Sequence, residues 1–380
     1  MWNITGDGSK REFLQHMRPT VLEVNLPRLR QNVAAIRARV SPAKVMPMIK
    51  ANAYGHGIDG VAPFLEPFVD YFGVAVLEEG IHLRELGITK PILVAGGILP
   101  EQVSLFAEHD LSLTGSSIEL LDVAEEVSRF SGKQIKIHLK IDTGMERVGV
   151  HEYEAEAFIE HSLRLKHVDI EGIYTHFANS EDTDLVHARL QLERFQEVLD
   201  VYDKRSVPHP PLRHMANSAA ILQFPESYFD LVRPGLITYG VYPDSVAESV
   251  EIAPALTWRS RVAYSKITRP GRPVSYGSLW QAEAETRLVT IPCGYADGYF
   301  RRMTNRAQVI VNHKKYPQVG RICMDQFMVN VGDDAAGVGD AVVLLGDGIS
   351  AHDLAEWTGT NEYEVLTSIS ARVPRVYVRD

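Results

Sequence analysis

Between about residues 40 and 240, short apolar runs alternate with segments whose apolar residues recur at helical spacing. Leu192, Phe195 and Leu199, for example, have the spacing of one helix face. The apolar runs have the length of buried strands, and they begin near Lys44, Tyr71, Pro91, Leu111, Gln134, Ile170, Leu212 and Leu231. Strands that alternate with helices in this way favour an α/β fold with a closed parallel (β/α)8 TIM barrel over an open doubly wound sheet.

After about residue 250 the helical spacing gives way to short runs rich in Val, Thr and Ile. The clearest of these runs are residues 288–291, 309–311, 327–331 and 341–345. Gly and Pro separate the runs, which is typical of a mainly antiparallel β domain, and residues 353–357 and 361–370 look helical. We predict a barrel over residues 1–250 and a mainly β domain over 251–380. The segment before about residue 20 is expected either to belong to the barrel or to pack on the β domain.

The bulk composition excludes several classes of function. The 380 residues are 45% hydrophobic and 23% charged, as in an ordinary soluble globular protein. A formal net charge of -10 argues against nucleic acid as a partner, because phosphate backbones require concentrated Lys and Arg. Cys293 and Cys323 alone give neither a disulfide framework nor a metal site. With no evident signal peptide or membrane span, the sequence predicts a cytoplasmic protein with no membrane partner.

One apolar run ends abruptly in Lys50 and continues into a turn that contains Gly55 and Gly57. An amine at the end of a buried strand meets a low dielectric, which disfavours its charged form and lowers its pKa. A lysine with a lowered pKa is what Schiff-base chemistry with a carbonyl compound requires. Taken alone, this feature also fits an aldolase that works without a cofactor.

Other polar residues are predicted at strand ends, where the chemistry of such barrels lies. With Lys50, they are Arg147, His176, Ser218 and Arg233. Each one alone has an ordinary structural explanation, such as a solvated cation or a helix cap. Together they suit an anionic aromatic cofactor and a substrate that carries a carboxylate.

Longer motifs surround these residues in both predicted domains. In the barrel they are residues 50–57, residues 140–145 with Arg147, residues 175–178, His214 with residues 217–219, and residues 233–235 followed by Tyr239 and Gly240. In the β domain they are residues 275–277, 294–299 and 321–325, Tyr363 with Glu364, and residues 372–375. These motifs occur in the order found in the alanine racemase family, from about residue 20 onward, and the chain resembles that family.

The resemblance implies a fold-type III pyridoxal-phosphate enzyme that forms a head-to-tail homodimer, in which the β domain of one chain completes the active site of the other. It also implies roles for residues that match the family motifs. Lys50 would bind the cofactor covalently, and Arg233 would donate to the pyridine nitrogen and keep it unprotonated, which disfavours transaminase-like side reactions. The other cofactor-binding residues would be Tyr54, His176, Ser218, Gly235, Leu236 and Tyr363.

Inverting an amino acid economically requires one base on each face of the substrate. The resemblance assigns these roles to Lys50 and to the partner's Tyr276, with the positive charge of Arg147 as an activator of the phenol. Arg147 and the backbone N–H of Met324 would bind the substrate. Asp325, Tyr295, Lys140 and His176 would support the site. The expected reaction interconverts L- and D-alanine and supplies D-alanine for peptidoglycan.

Two positions leave alternatives open. Lys140 matches a lysine that is carboxylated to N6-carboxylysine in many family members, and the residue fits either that anionic carbamate or an ordinary amine. Glu146 stands where the family usually has Gly, directly before Arg147. Its carboxylate is expected either to pair with Arg147 or to point into solvent, which leaves catalytic efficiency and substrate range open.

Other functions are weighed against alanine racemisation. A racemase of broader specificity, for serine or a larger amino acid, fits the same motifs, because one methylene changes discrimination by only ~1–3 kcal/mol. A fold-type III decarboxylase is disfavoured by Arg233 and by the motif around Tyr276. A catalytically idle cofactor-binding protein is disfavoured because Lys50 and Tyr276 are both present.

Overall fold

The computed structural model describes residues 18–246 and 248–379, which form two compact units. The barrel unit comprises Arg30–Ala53 and Val61–Ile252, and the β unit comprises residues 18–29, Tyr54–Gly60 and residues 253–379. The expectation that the segment before about residue 20 packs on the β domain concerns mainly residues 1–17, which lie outside the described residues.

Eight parallel strands form the barrel unit, and each begins within two residues of a predicted apolar run. The first strand of the chain, β1 (Val21–Asn25), belongs to the β unit. The barrel strands are β2 (Lys44–Val45), β3 (Phe72–Val74), β4 (Ile92–Val94), β5 (Ser112–Gly115), β6 (Lys136–Asp142), β8 (Asp169–Tyr174), β9 (Leu212–His214) and β10 (Leu231–Val232). A further short strand, β7 (Val150–His151), pairs with β6 outside the ring.

The barrel strands close into a ring. A continuous ladder joins β3, β4, β5, β6, β8 and β9 in that order, and β2 pairs with β10. Met48 bridges to Gly73 of β3, and the Asp230 amide donates to the Arg213 carbonyl of β9 at 3.0 Å. A Cβ at Gly73 would lie 2.3 Å from the Met48 sulfur, so any larger residue would require the Met48 side chain to move. The prediction of a (β/α)8 barrel is confirmed.

Helices alternate with the barrel strands, and the first helix precedes β2. They are α1 (Leu26–Val40), α2 (Ile58–Leu65), α3 (Leu77–Glu85), α4 (Val103–Glu108), α5 (Ile118–Ser131), α6 (Ala155–Ser162), α7 (Val186–Lys204) and α8 (Ser218–Gln223). In α7 the predicted apolar face is buried, with Phe195 fully enclosed, because burial of that stripe is what stabilises such a helix. Within the described part of the chain, no helix is both long and apolar enough to cross a membrane.

Besides β1, the strands of the β unit are β11 (Leu256–Arg261), β12 (Tyr264–Thr268), β13 (Thr286–Ile291), β14 (Gln308–Val311), β15 (Lys314–Val319), β16 (Phe327–Gly332), β17 (Ala341–Leu345) and β18 (Arg375–Val378). Together they form one nine-stranded sheet in the order β12-β13-β16-β15-β14-β17-β11-β1-β18. Two helices, α9 (Ala351–Thr358) and α10 (Glu362–Thr367), lie where they are predicted. All neighbouring strands are antiparallel except β1 and β18, so the prediction of a mainly antiparallel β domain is confirmed.

Aromatic rings fill the core of the β unit. Trp258, Tyr299 and Phe327 are fully buried, and the Tyr299 and Phe327 rings stack with centroids 4.6 Å apart. Along β16, fully buried residues, of which Phe327 is the first, alternate with partly buried ones. This period-two pattern is typical of a sheet with one buried face. This packed core provides a rigid base for the loops that carry the candidate site residues of this unit.

Candidate active site

The carboxyl ends of the barrel strands bring four cationic side chains into electrostatic range of one histidine. Burial first, and then the charges of Arg233, Lys140, Arg147 and Lys50, lower the pKa of His176 well below its ordinary value. The structure therefore brings these five predicted site residues together within the barrel unit. A concentration of positive charge in a protein of net charge -10 makes this end of the barrel a local site for anions.

A left-handed turn begins directly after Lys50, beyond β2 and the bridge at Met48. In the segment Lys50–Tyr54, Ala51, Asn52 and Ala53 have φ between 51° and 57°, and Tyr54 has φ 50°. This conformation costs roughly 1–2 kcal/mol per non-glycine residue. The Ala51 amide is held by the Glu79 carboxylate at 2.6 Å. Backbone strain of this kind concentrates at functional sites, where the surrounding structure maintains it.

The amine of Lys50 is half-buried. Burial lowers the pKa of this amine most, and the positive charge of Arg147 lowers it further. The negative charge of Glu79 acts in the opposite direction. A lower pKa increases the fraction of neutral amine, which is the form that attacks a carbonyl carbon.

Arg233 is buried and is held by four hydrogen bonds. Its Nη1 lies 2.7 Å from Nδ1 of His214, and its Nη2 lies 3.0 Å from Nδ1 of His176. Nη2 also donates to the carbonyl oxygens of Thr175 at 2.8 Å and Met215 at 3.1 Å. Among the described residues, none accepts a hydrogen bond from Nε, so this N–H remains available for a ligand.

Arg147 lies in a loop that the Asp142 carboxylate organises. The carboxylate accepts hydrogen bonds from the amides of Gly144 and Met145, each at 2.8 Å, and from the Arg147 amide at 3.1 Å. Burial opposes the charge of Asp142, but these backbone donors outweigh it and lower the pKa of the carboxyl. The Arg147 side chain itself is exposed in the single chain.

Glu146 adopts the left-handed conformation with φ 54°. Glycine adopts this conformation readily, which gives a physical reason for a glycine at this position. The Glu146 side chain is 71% exposed, and its carboxylate lies 3.1 Å from Nε2 of His151. Of the two expected arrangements, the structure therefore shows the one in which the side chain points outward, with His151 as its partner.

Lys140 is 5% exposed on the inner face of β6. Its Nζ donates to the Ile141 carbonyl at 3.0 Å and lies 5.1 Å from the centre of the Tyr174 ring. Burial, followed by the charge of Arg233, lowers the pKa of Lys140 to about 7. A substantial fraction of this amine is therefore neutral near pH 7.

Ser218 begins α8 and is buried. Its hydroxyl accepts a hydrogen bond from the Gly235 amide at 2.9 Å, so it joins α8 to the turn that continues through Leu236. The preceding residue, Asn217, caps the helix by accepting from the Ala220 amide at 3.0 Å. This arrangement brings Ser218, Gly235 and Leu236 to one place in the barrel unit.

The β unit contains the remaining predicted residues. Tyr54 and Tyr363 have ring centroids 6.1 Å apart, and burial raises the pKa of Tyr54 above its ordinary value. Tyr276, Tyr295, Met324 and Asp325 line an open cavity of about 1130 Å³. In the single chain, Tyr276 is 71% exposed and Met324 is 52% exposed.

Tight backbone packing determines the shape of this cavity. The amide of Tyr295 donates to the Cys323 carbonyl at 3.1 Å, and a Cβ at Gly294 would lie 2.4 Å from the Met324 carbonyl oxygen. Only glycine at residue 294 therefore allows this approach. Asp325 accepts a hydrogen bond from Arg372 at 2.8 Å.

Basic side chains dominate the charged lining of the same cavity. The lining contains one carboxylate, Asp325, and five basic residues: Lys266, Arg269, Arg272, Arg301 and Arg321. The cavity is therefore suited to anions or to an acidic protein surface.

Sequence reasoning missed the hydrogen-bonded residues beneath Arg233, chiefly the buried His138 and the partly exposed Glu171, and it missed Glu79 beside Lys50. A signal for the first set exists in β6. His138, Lys140 and Asp142 occupy every second position of a strand whose intervening residues are apolar and buried. Polar residues at period two in a buried barrel strand indicate an interior hydrogen-bond network.

Comparisons with known proteins agree with this geometry. The chain matches the family described as "Alanine racemase, N-terminal domain" over residues 24–243 and "Alanine racemase, C-terminal domain" over residues 255–377. It is 45% identical to the alanine racemase of Carboxydothermus hydrogenoformans over 370 residues, which cover 95% of this chain and 100% of the relative.

Solved structures give the same result. The alanine racemase of Clostridium difficile 630 superposes with a TM-score of 0.90 at 36% identity, covering 96% of this chain and 97% of that one. The structure titled "Crystal structure of alanine racemase from Bartonella henselae with covalently bound pyridoxal phosphate" has a TM-score of 0.88 at 28% identity, covering 95% of this chain and 100% of that one.

Proposed function

Since the chain belongs to the alanine racemase family, whose members are isomerases, we propose that it binds pyridoxal phosphate and interconverts L- and D-alanine. The observation that carries the proposal is the cationic cluster around Lys50, an amine whose pKa is lowered by burial and by Arg147. The cluster suits a phosphate-bearing carbonyl cofactor and a substrate carboxylate. The relative from Bartonella henselae, with its covalently bound pyridoxal phosphate, supports the choice of cofactor.

The residues of the barrel unit fit the parts of this cofactor. Lys50 would bind its aldehyde carbon, with His176 beside it, and the Ser218 hydroxyl and the backbone at Gly235 and Leu236 would hold the phosphate. Arg233 would donate to the ring nitrogen, because its Nε–H has no acceptor among the residues described and its other nitrogens are already fixed. We also propose phosphate contacts from Tyr54 and Tyr363 of the β unit.

The bound cofactor would withdraw electrons from the α-carbon and make its proton removable. In the proposed two-base scheme, Nζ of Lys50 takes or returns this proton on one face, and the phenolic oxygen of the partner's Tyr276 does so on the other. Arg147 would stabilise the phenolate by its positive charge and would orient the substrate carboxylate.

The supporting contacts come from the cavity of the β unit. The Met324 amide would bind the substrate carboxylate, since no described residue accepts a hydrogen bond from it. Tyr295 and Asp325 line the same cavity and would hold the loop around it in place.

We propose a homodimer with shared active sites, in which this cavity receives the barrel of a second chain. Two observations support it: Tyr276 is 71% exposed in the single chain, and basic side chains line the cavity of a protein with net charge -10. The net negative charge of a second copy is attracted to a basic cavity. We propose that the protein makes D-alanine in the cytoplasm and that this D-alanine is used for peptidoglycan.

A chiral assay tests the reaction. Purified protein supplied with pyridoxal phosphate and L-alanine should form D-alanine until both enantiomers are equal. Lys50→Ala should lose at least about a thousandfold in kcat, because one of the two bases and the covalent anchor are both removed. It should also lose the visible absorbance of the lysine-bound cofactor.

The matched control is Lys133→Ala, which removes an exposed lysine of the barrel unit and should leave turnover unchanged. Turnover of serine or a larger amino acid in preference to alanine would favour the broader-specificity racemase. Full turnover by Lys50→Ala would refute the assignment.

Isotope exchange tests the two-base scheme separately. In D2O, Tyr276→Phe should slow α-proton removal from one enantiomer by roughly a hundredfold or more, while removal from the other is much less affected, because each base serves one face. Equal slowing for both enantiomers would count against two bases.

A further inference from the structure

A chain of hydrogen bonds descends from Arg233 into the interior of the barrel. Arg233 Nη1 lies 2.7 Å from Nδ1 of His214, and Nε2 of His214 lies 2.8 Å from Nδ1 of His138. Nε2 of His138 then lies 3.3 Å from Oε2 of Glu171. This chain, which we call the barrel relay, joins a cation at the strand ends to a carboxylate on β8 through two histidines.

The chemistry of the end groups gives the relay a single direction. A guanidinium can only donate hydrogen bonds, and a carboxylate can only accept them. Nδ1 of His214 must therefore be unprotonated, and its proton resides on Nε2, which donates to Nδ1 of His138. His138 likewise carries its proton on Nε2 and donates to Glu171. Both histidines are thus neutral and have the same tautomer, since any other assignment places two donors or two acceptors face to face.

The surroundings of the relay support this assignment. His138 and His214 are both fully buried, and the Tyr174 ring stacks on His214 with centroids 4.6 Å apart. Burial and the charge of Arg233 lower the pKa of His214 well below its ordinary value. At the far end burial opposes the charge of Glu171, but hydrogen bonds from His138 and Tyr71 outweigh it and lower the pKa of its carboxyl to about 2.

We propose that His138 and Glu171 are positioning residues, which fix the tautomer of His214 and so hold Arg233 as a donor to the ring nitrogen of the bound cofactor. Without Glu171 as the terminal acceptor, His138 and His214 can both reverse their tautomers. A reversed His214 presents an N–H toward Arg233 and releases one of the four hydrogen bonds that hold the guanidinium. This inference rests on the proposed function for the identity of the cofactor, but the relay itself is a property of the chain.

Nitrogen NMR of histidine tests the relay directly. In protein labelled with 15N-histidine and purified with pyridoxal phosphate, His138 and His214 should both be protonated on Nε2 alone at pH 7.5. Glu171→Leu should shift both signals toward the other tautomer or toward a mixture. A proton on Nδ1 of either histidine in the unmodified protein would overturn the relay, as would unchanged tautomers in Glu171→Leu.

Side-product formation tests the consequence for Arg233. When the ring nitrogen can be protonated, the cofactor is a stronger electron sink and alanine is more often converted to pyruvate, leaving pyridoxamine phosphate. His138→Leu should therefore raise the ratio of pyruvate formed to alanine racemised by roughly tenfold, the scale of one hydrogen bond to a charged group. The KM for alanine should change by less than about twofold, since no relay residue is assigned to bind the substrate.

Two variants separate the relay from general damage to the barrel. His138→Gln has an amide oxygen to accept and an amide N–H to donate, so it should restore the ratio to within about threefold of the starting protein. Ser162→Ala removes a different buried hydroxyl of the barrel unit, which donates to the Ile159 carbonyl at 2.7 Å within α6, and should leave the ratio unchanged.

The outcomes distinguish the two proposals. A folded, cofactor-bound His138→Leu with an unchanged ratio overturns the positioning role, and so does an equal rise in Ser162→Ala. If the unmodified protein neither binds pyridoxal phosphate nor racemises alanine, the proposed function fails. The tautomer measurement still decides whether the relay exists.

Discussion

The two units hold their chemical groups in opposite ways. In the barrel unit, Lys140, His214 and Arg233 are each at most 5% exposed, and their hydrogen bonds lie within the same unit. In the β unit, Tyr276 is 71% exposed and Met324 is 52% exposed, and both line an open basic cavity. The barrel unit is thus preorganised by its own interior, whereas the exposed groups of the β unit require a second surface to exclude water from them. This difference is what the proposed dimer explains.

Mixing two inactive variants tests this comparison and has the largest expected effect. Lys50→Ala and Tyr276→Phe should each lose most racemase activity. When the two are mixed, dissociated and reassociated, half of the dimers should contain both chains, and each mixed dimer should have one intact site. The mixture should therefore regain about a quarter of the original activity, as random pairing in a twofold dimer requires.

A mixture that stays inactive, although light scattering shows reassociated dimers, would contradict the shared site. Each variant mixed with itself through the same procedure is the control, and it should regain nothing.

Much of the fold could be predicted because the spacing of apolar residues within short segments of the sequence indicates each strand and helix. Each barrel strand is a short apolar run, and the predicted runs agree with the observed strands to within two residues. The position of β1 could not be found in this way. It pairs with β11 and β18, both more than 200 residues away in the chain, and no local pattern specifies such a pairing.

The candidate site shows the same division. The motif that contains Lys50 is visible in sequence, but the left-handed turn after it is not, because residues 51–54 include no glycine to signal a positive φ. The pairing of His138 with His214 also escaped prediction. These residues lie 76 positions apart on strands that are not adjacent in the sheet, and the register between β6 and β8 is irregular next to His138, so no local pattern indicates the contact.

Modification of Lys140 would sharpen the comparison by adding a negative charge to the cationic barrel site. Because burial lowers the pKa of Lys140 to about 7, a substantial fraction of the amine is neutral near pH 7 and can react with CO2. Protein equilibrated with 13C-bicarbonate should show a carbamate carbon signal. Lys140→Arg keeps the cation, cannot form this carbamate and should lack the signal. Absence of the signal in the unmodified chain at saturating bicarbonate would assign an ordinary amine.

Acid should destabilise the barrel unit through its buried histidines. Burial lowers the pKa of His176 and of His214, so both stay neutral in the folded protein while the unfolded chain takes up protons below about pH 6.5. The unfolded state then binds more protons, and the free energy of unfolding falls by up to ~1.4 kcal/mol per pH unit for each histidine.

Urea unfolding at pH 7.5 and pH 5.5 measures this effect. Replacing His176 by Asn should make the loss of stability on acidification smaller by about 1 kcal/mol, because one proton-uptake site is removed from the unfolded chain. An equal loss in both proteins would show that His176 takes up protons over this pH range in the folded state as it does in the unfolded chain.

Glu146→Gly should have the smallest effect, since it concerns an exposed loop at the edge of the barrel site. Glu146 has φ 54°, a conformation that glycine adopts without the steric cost that other residues incur. Part of that gain is offset, because glycine also makes the unfolded chain more flexible and the exposed contact with His151 is lost. We expect a net gain of roughly 0.5 kcal/mol in the free energy of unfolding. Glu146→Gln is the matched control: it loses the charge but keeps the left-handed backbone, so it should be no more stable than the starting protein. If the two variants are equally stable, the cost of the positive φ is no larger than the effect of the flexibility that glycine adds to the unfolded chain, and the strain at this edge of the barrel site is smaller than its backbone geometry indicates.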